Sequence, residues 1–277
     1  MPTLPSRRAL AWLAASLLPA LLACPSTPYP EAKVDLGPKP PAAASAPAAS
    51  HPKLRFSVAA MLSPQGSLAA YSRLFELMGE RLGVEVEFVQ RKTYREVNDL
   101  IVAGKVDAAL VCTGGYLELA RRAPEKIELL AVPVVDGVTT YHSYVLVPAA
   151  SRAKSLADLA GKRFGYTDEL SLTGRAYAVH WLGQHGKDPA RFFASVQFTQ
   201  SHDRSVEAVS KGLLDGVCVD SLIYEEMASA RPALARAVRR IDTSPPFGAP
   251  PVVAATSVPA ARREAIRAAL LGMSADA

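Results

Sequence analysis

The chain predicts an α/β fold of two lobes, each a mostly parallel sheet flanked by helices, with a ligand cleft between them. Three observations carry this. From Lys53 onward, segments with strand periodicity alternate with amphipathic helical segments, the rhythm of parallel strands joined by crossover helices. The stretch TYREVNDLIVAGKVDAALVCTGGY (93–116) has an echo in SHDRSVEAVSKGLLDGVCVDSLIY (201–224). Each reads as helix, glycine stop, two residues, Asp, buried strand, then a polar turn into another helix. Finally, 277 residues, 49% of them apolar, suffice for two modest domains.

The elements follow in order. LRFSVAAML reads as a strand, and LAAYSRLFELMGERLG as an amphipathic helix closing at Gly83. VEVEFVQ alternates like a strand. YREVNDLIVAG is a helix closing at Gly104, and VDAALV a short buried strand. The rhythm resumes at KRFGYT, with a helix after Thr173, a strand near ASVQF, a helix from Asp203 to Gly212 and the strand DGVCV. The echo aligns Gly104 with Gly212, Asp107 with Asp215, Tyr116 with Tyr224 and, two positions out of register, Cys112 with Cys218.

Ahead of this body lies an export pattern. Arg7 and Arg8 form a positive start, and Ala9 to Leu22 is an apolar run interrupted by Pro19, short for a membrane span. Leu21-Leu22-Ala23-Cys24 resembles the lipobox of bacterial lipoproteins, in which the cysteine is acylated. Residues 1–23 are therefore expected to be a signal peptide, and 24–52, rich in Pro, Ala and Ser, a lipidated cysteine and a tether unable to bury a core. Cys112 and Cys218 read as buried thiols in different places, not a disulfide. The net charge of +5 is dispersed along the chain, which argues against nucleic acid.

Candidate site residues come from the element ends. Ligands of parallel α/β sheets sit beyond the carboxyl ends of strands, where free helix N-terminal amides favour anions. The echo sets Thr93-Tyr94 opposite Ser201-His202, each at a helix start, with Thr113-Gly114 and Asp220-Ser221 as matching post-strand turns. Ser171, Thr173 and Gly174 mark a further helix start; Ser171 alone would be a simple cap. Catalysis finds no support. His142 and Ser143 are adjacent on a strand and point to opposite faces. His180 and His185 miss the helical spacing for a shared metal. No cofactor or metal site is expected.

From about Leu54 to Leu271 the chain resembles the phosphonate/phosphite/phosphate substrate-binding proteins of ABC importers. The motifs are LFELMGERLGVEVEFV, TYREVNDLIVAGKVDAALV, YHSYVLVP with SLADLAGKRFGYTD, SLTG, FTQSHDRSVEAVSKGLLDGVCVDSLIY and TSPPFGAPPVV. The resemblance implies the type II periplasmic-binding-protein fold, with lobe one at 53–140 plus 245–277 and lobe two at 141–244. It implies a monomer outside the cytoplasm, held to the membrane by its lipid alone, that delivers a small oxyanion to a permease and its ATPase. The oxyanion contacts it implies are Tyr94, Tyr141, Ser171, Thr173, Ser201, His202 and Asp220.

Two departures bear on the ligand: the first removes a donor and leaves another ligand open, the second argues against an amino-phosphonate. Leu172 stands where relatives often have a hydroxyl, and Leu222 and Pro250 where binders of aminoalkylphosphonates carry acids. Asp220 would repel an anion unless a proton lies between them, which favours hydrogen phosphate, hydrogen phosphite or a phosphonate monoanion over sulfate. A sulfonate or another small organic anion, or a sensory role beside a membrane kinase, remain alternatives at this stage.

Overall fold

A computed structural model describes residues 53–273. The signal peptide, Cys24 and the tether lie outside the described residues. The chain opens with β1 (Lys53–Val58), followed by α1 (Pro64–Leu82), β2 (Glu85–Val89), α2 (Tyr94–Val102), β3 (Ala108–Leu110), α3 (Thr113–Arg122) and β4 (Ile127–Ala131). Helix α1 starts a turn earlier than its apolar pattern. Ser63 accepts the Gly66 amide and Pro64 fits the first turn. A capping box between Thr93 and Glu96 opens α2.

The short β5 (Thr140–Tyr141) then leads into β6 (Ser143–Pro148) and β7 (Arg163–Tyr166). A single wide, π-helical turn at Leu172–Ala176 precedes α4 (Tyr177–Gln184). After it come β8 (Ser195–Phe198), α5 (His202–Ser210), β9 (Gly216–Asp220), α6 (Ser221–Ala230), α7 (Pro232–Ala237) and β10 (Val238–Thr243). The chain returns through β11 (Phe247–Gly248), β12 (Val252–Ala255) and α8 (Ala260–Gly272).

Two five-stranded sheets result, in the orders β2-β1-β3-β12-β4 and β8-β7-β9-β6-β10. Their topologies are the same. In each, the reversed strand is the fourth, and its neighbours on either side are antiparallel to it. The other strands run in one direction. Each reversed strand is supplied by a segment that has just crossed from the other sheet: β6 after β5, β12 after β11. The two crossing segments pair with each other as a separate antiparallel ribbon, Phe247 with Tyr141 and Gly248 with Thr140.

Side-chain alternation buries both faces of each sheet. In the first sheet, Phe56, Ala108 and Val252 face one apolar cluster while Ala109, Val253 and Ala255 face another. In the second, Leu146 and Val219 face one cluster and Val145, Val147 and Cys218 the other. Cys112 and Cys218 are free and buried. No described helix is long and apolar enough to cross a membrane.

The internal echo has a physical cause. Gly104 and Gly212 lie just past α2 and α5 with φ of 63° and 68°, a conformation that favours glycine. Three residues on, Asp107 accepts the Arg55 amide at 2.8 Å and its guanidinium at 2.7 Å, while Arg55 also donates to Gly104 O at 3.1 Å. Arg163 repeats this with Asp215 at 2.9 and 2.8 Å and with Gly212 O at 3.0 Å. The pattern ties each helix end to the first parallel strand of its sheet. It also corrects one alignment: Cys112 and Asp220, not Cys112 and Cys218, are the matching residues, each the cap position before α3 and α6.

The two clamps differ in burial. Asp107's side chain is 11% exposed and Asp215's 33%. Asp107→Asn is expected to cost about 2 kcal/mol and Asp215→Asn about 1 kcal/mol, read from urea denaturation midpoints.

Candidate ligand-binding site

The carboxyl ends of the parallel strands of one sheet face those of the other, and the facing segments touch directly. The His202 amide donates to Met61 O at 2.9 Å. The Tyr94 amide donates to Asp168 Oδ2 at 3.2 Å, and the Ser63 amide to both oxygens of Asp203 at 3.0 and 3.1 Å. At Gly114 the backbones meet so closely that a Cβ would lie 2.1 Å from Leu170 O. Gly114 thus serves the approach of the two halves.

Between these contacts lies a buried polar cluster. His202 Nδ1 accepts the Asp220 amide at 3.1 Å and lies 3.1 Å from Thr167 Oγ1. An Nδ1 that accepts an N–H cannot carry a proton, so the neutral ring carries it on Nε2. Nε2 lies 3.4 Å from the Tyr94 hydroxyl. Tyr141 donates to Thr113 Oγ1 at 3.2 Å and lies beside Thr173. The Thr173 hydroxyl oxygen is buried with no partner at full hydrogen-bond geometry, as is the Tyr166 hydroxyl; its polar neighbour is the Tyr141 hydroxyl.

The cluster is uncharged apart from Asp220. Burial depresses the His202 pKa to about 3 despite nearby Asp203, so the ring is neutral at physiological pH. Burial lifts Asp220 from 3.8 to about 7, only partly offset by the Ile223 and Leu222 amides that its Oδ1 accepts. Tyr94 and Tyr141 are raised well above 10.0, first by burial and then by Cys112 and acidic neighbours including Asp220. No Lys or Arg is buried with them among the described residues. The cluster thus sets neutral polar groups, Tyr94, Tyr141, Thr173 and His202, around one carboxyl that titrates near neutrality, with the Tyr141 proton given to Thr113 and the His202 proton directed at Tyr94 in this arrangement.

The remaining predicted residues lie next to this cluster with other engagements. Ser171 caps its turn by accepting the Gly174 amide at 2.9 Å. Gly174 packs against Thr167, where a Cβ would lie 2.4 Å from Oγ1. The Ser201 hydroxyl donates to Asp203 Oδ1 at 2.5 Å, within the inter-sheet contact. The Thr113 hydroxyl donates to Gly248 O of the crossing ribbon at 2.8 Å. The helix starts stand where the sequence puts them, but the amides of Tyr94, His202, Gly174, Leu222 and Ile223 are taken by the protein itself. Those five amides are therefore engaged in this arrangement. The candidate residues are also buried, Thr173 at 0% and His202 at 1%.

Some participants escaped the sequence reading. Tyr71 on α1 is raised to about 12 by burial and then by Asp220. Cys112 is raised to about 11 by burial, although amides of Leu172, Gly114 and Gly115 reach its sulfur. Thr167 orients His202. Only the match of Cys112 to Asp220 in the echo could have signalled one of these.

A protein-family model described as "ABC transporter, phosphonate, periplasmic substrate-binding protein" matches residues 56–277. The chain belongs to that family. Its members are transport binding proteins, not catalysts. Among individual relatives, the phosphate-import protein PhnD of Mycolicibacterium smegmatis is 29% identical over 168 residues, 57% of this chain. The chain spans about half that relative, 52% of its length. A binding-protein component of an ABC phosphonate transporter from Pseudomonas aeruginosa has a TM-score of 0.73 at 21% identity, covering 79% of this chain and 73% of that one. PhnD1 from Prochlorococcus marinus, solved with methylphosphonate, has 0.69 at 18%, covering 79% and 84%. An ancestral arginine-binding protein has 0.59 at 17%, covering 81% and 93%. These likenesses establish the periplasmic binding-protein fold.

In this phosphonate-family member the two titrating groups pull stability in opposite directions with pH. His202 is depressed, so its contribution is present above about pH 6.5 and is lost as pH falls towards 3. Asp220 is raised, so its contribution is present below 3.8 and is lost as pH rises through about 7. The two windows overlap, so Asp220→Asn is expected to remove the loss between pH 3.8 and 7 and to unmask the His202 rise between pH 3 and 6.5, measured by urea denaturation across pH.

Proposed function

We propose that this protein is an extracytoplasmic solute-binding lipoprotein, lipidated at Cys24 and tethered by residues 24–52, that captures a small phosphorus oxyanion for an ABC importer. The solute is phosphite, phosphate or a simple alkylphosphonate. The observation that carries this is the buried ring of neutral donors, Tyr94, Tyr141, Thr173 and His202, around Asp220. Neutral donors hold an anion through charge-assisted hydrogen bonds without the exchange of a buried cation. A carboxyl with a pKa near 7 tolerates the anion when one proton lies between them. A phosphorus oxyanion can bring that proton itself, whereas sulfate must take it from Asp220 and is disfavoured as that carboxyl ionises above pH 7. The family, and the words phosphate and methylphosphonate attached to two relatives, support the same ligand class.

Capture proceeds by hinge closure. The lobes are 53–140 plus 245–277 and 141–244, and the ribbon of Thr140–Tyr141 with Phe247–Gly248 is the hinge. Opening breaks the contacts of Asp168 with Tyr94 and of Asp203 with Ser63, and exposes the donors. Closure around the solute restores them, removes water and strengthens each bond to the anion. The closed form is the one that docks to the permease and its ATPase. The absence of acids at Leu222 and Pro250 disfavours ligands that carry an amine.

A thermal-shift and calorimetry panel of phosphite, phosphate, methylphosphonate, sulfate and taurine tests the reading. At pH 7.5, at least one phosphorus oxyanion at 100 times its Kd should stabilise the protein by about 2.7 kcal/mol, with sulfate and taurine at least tenfold weaker. Asp220→Asn should gain sulfate binding. Equal binding of sulfate and phosphite by the parent protein would refute the role given to Asp220.

A further inference from the structure

Outside the buried cluster, a cavity of about 430 Å³ opens at the mouth of the cleft. It lies beyond the carboxyl ends of β1 and β2 and between the starts of α1 and α2, where Ser63 and Thr93 line it, the usual ligand position in a parallel sheet. It is separate from the donor cluster: the His202 amide bond to Met61 O stands between them. Its size falls within the range of about 300 to 1,000 Å³ typical of small-molecule sites.

The lining has a clear polarity. Val58, Ala60, Leu62 and Phe88 give an apolar wall. Arg91, Lys92 and Arg204 stand at the rim as exposed cations, and no acid lines the space. None of the three is in an ion pair among the described residues. Two ionised carboxylates stand close by: Asp203 accepts the Ser63 amide, and Glu96 accepts those of Lys92 and Thr93 and interacts with Arg91. Three rim cations outnumber them, and neither carboxylate lines the space, so an apolar pocket with this rim fits an anion with an apolar body.

The cavity is also shared between the sheets. Gln200 and Arg204 come from the segment that opens α5, and the rest of the lining from the first sheet. Gln200 adopts φ 69°, a left-handed conformation uncommon outside glycine and asparagine, as its chain turns into Ser201 and His202. An occupant touching both sides would favour the closed arrangement over the open one.

The geometry points to a second binding site at Ala60, Phe88, Arg91, Lys92 and Arg204, for an amphiphilic monoanion such as a medium-chain carboxylate. This holds whatever solute the buried cluster takes. The test titrates octanoate, below its micellar concentration, into the full chain by calorimetry, with and without saturating methylphosphonate. Octyl glucoside and octyltrimethylammonium are the neutral and cationic comparators. Octanoate should bind one to one in both conditions, at least tenfold more tightly than either comparator. Ala60→Trp, which fills the wall, should abolish binding, and Lys92→Glu with Arg204→Glu should weaken it at least tenfold. Circular dichroism and thermal midpoints should verify that the variants fold, and a Lys92→Ser, Arg204→Ser pair gives a milder check should the double glutamate variant fail to fold. Equal binding of the three amphiphiles, no binding of octanoate, or octanoate binding that survives Ala60→Trp but is lost in His202→Ala would overturn the proposal. Failure of methylphosphonate to bind would bear on the proposed solute, not on this site.

Discussion

The Asp220 amide donating to His202 Nδ1 is the constraint on which the polar cluster depends. That one bond joins the last residue of β9 to the first of α5 and fixes the tautomer of the ring. With Nδ1 committed, the proton must stand on Nε2 and point towards Tyr94. Burial makes the ring reluctant to take a second proton. The histidine is thereby a neutral donor, and the same peptide that fixes it belongs to the carboxyl that sets the proton balance. Thr167 completes the support from β7, where Gly174 packs against its side chain.

The doubled topology explains how such a cluster forms from distant segments. Equivalent positions in the two sheets carry different chemistry: Cys112 before α3, Asp220 before α6. Facing the sheets brings both cap residues, and the tyrosines Tyr71, Tyr94 and Tyr141, within electrostatic range of one another. The carboxylates Asp168 and Asp203 take amides of the opposite half. Burial alone would raise Asp203, but the Ser201 hydroxyl and Ser63 hold it low, as an ionised acceptor. Asp168 is raised by burial, with the Leu170 and Tyr94 amides pulling it back. These contacts bond the two halves to each other directly.

The sequence disclosed the layers because local signals agreed with the global fold. Glycine stops at Gly83, Gly104 and Gly212, period-two strands and the Gly-x-x-Asp echo each had a direct structural cause. It also located Tyr94, Tyr141, Thr173, His202 and Asp220 at element ends that converge. What it hid was the partner of each group. Ser171 and Ser201 have the same look as Thr173 in the sequence, yet the first caps its own turn and the second binds Asp203, while Thr173 has no partner at full hydrogen-bond geometry. Amides at helix starts looked free, yet Tyr94 N goes to Asp168 and His202 N to Met61 O of the other half, and Gly174, Leu222 and Ile223 go to caps of their own. Tyr71 sits on an ordinary amphipathic helix and carries no local mark of its place beside Asp220. Long-range pairing of this kind leaves no trace in spacing.

The account turns on a proton held between Asp220 and the bound anion. Calorimetry of methylphosphonate binding at pH 8.5, in two buffers of different ionisation enthalpy, counts the protons exchanged. Uptake of about one proton per bound ligand in the parent protein, and almost none in Asp220→Asn, is the predicted result. Tight binding with no proton uptake in the parent protein would contradict it.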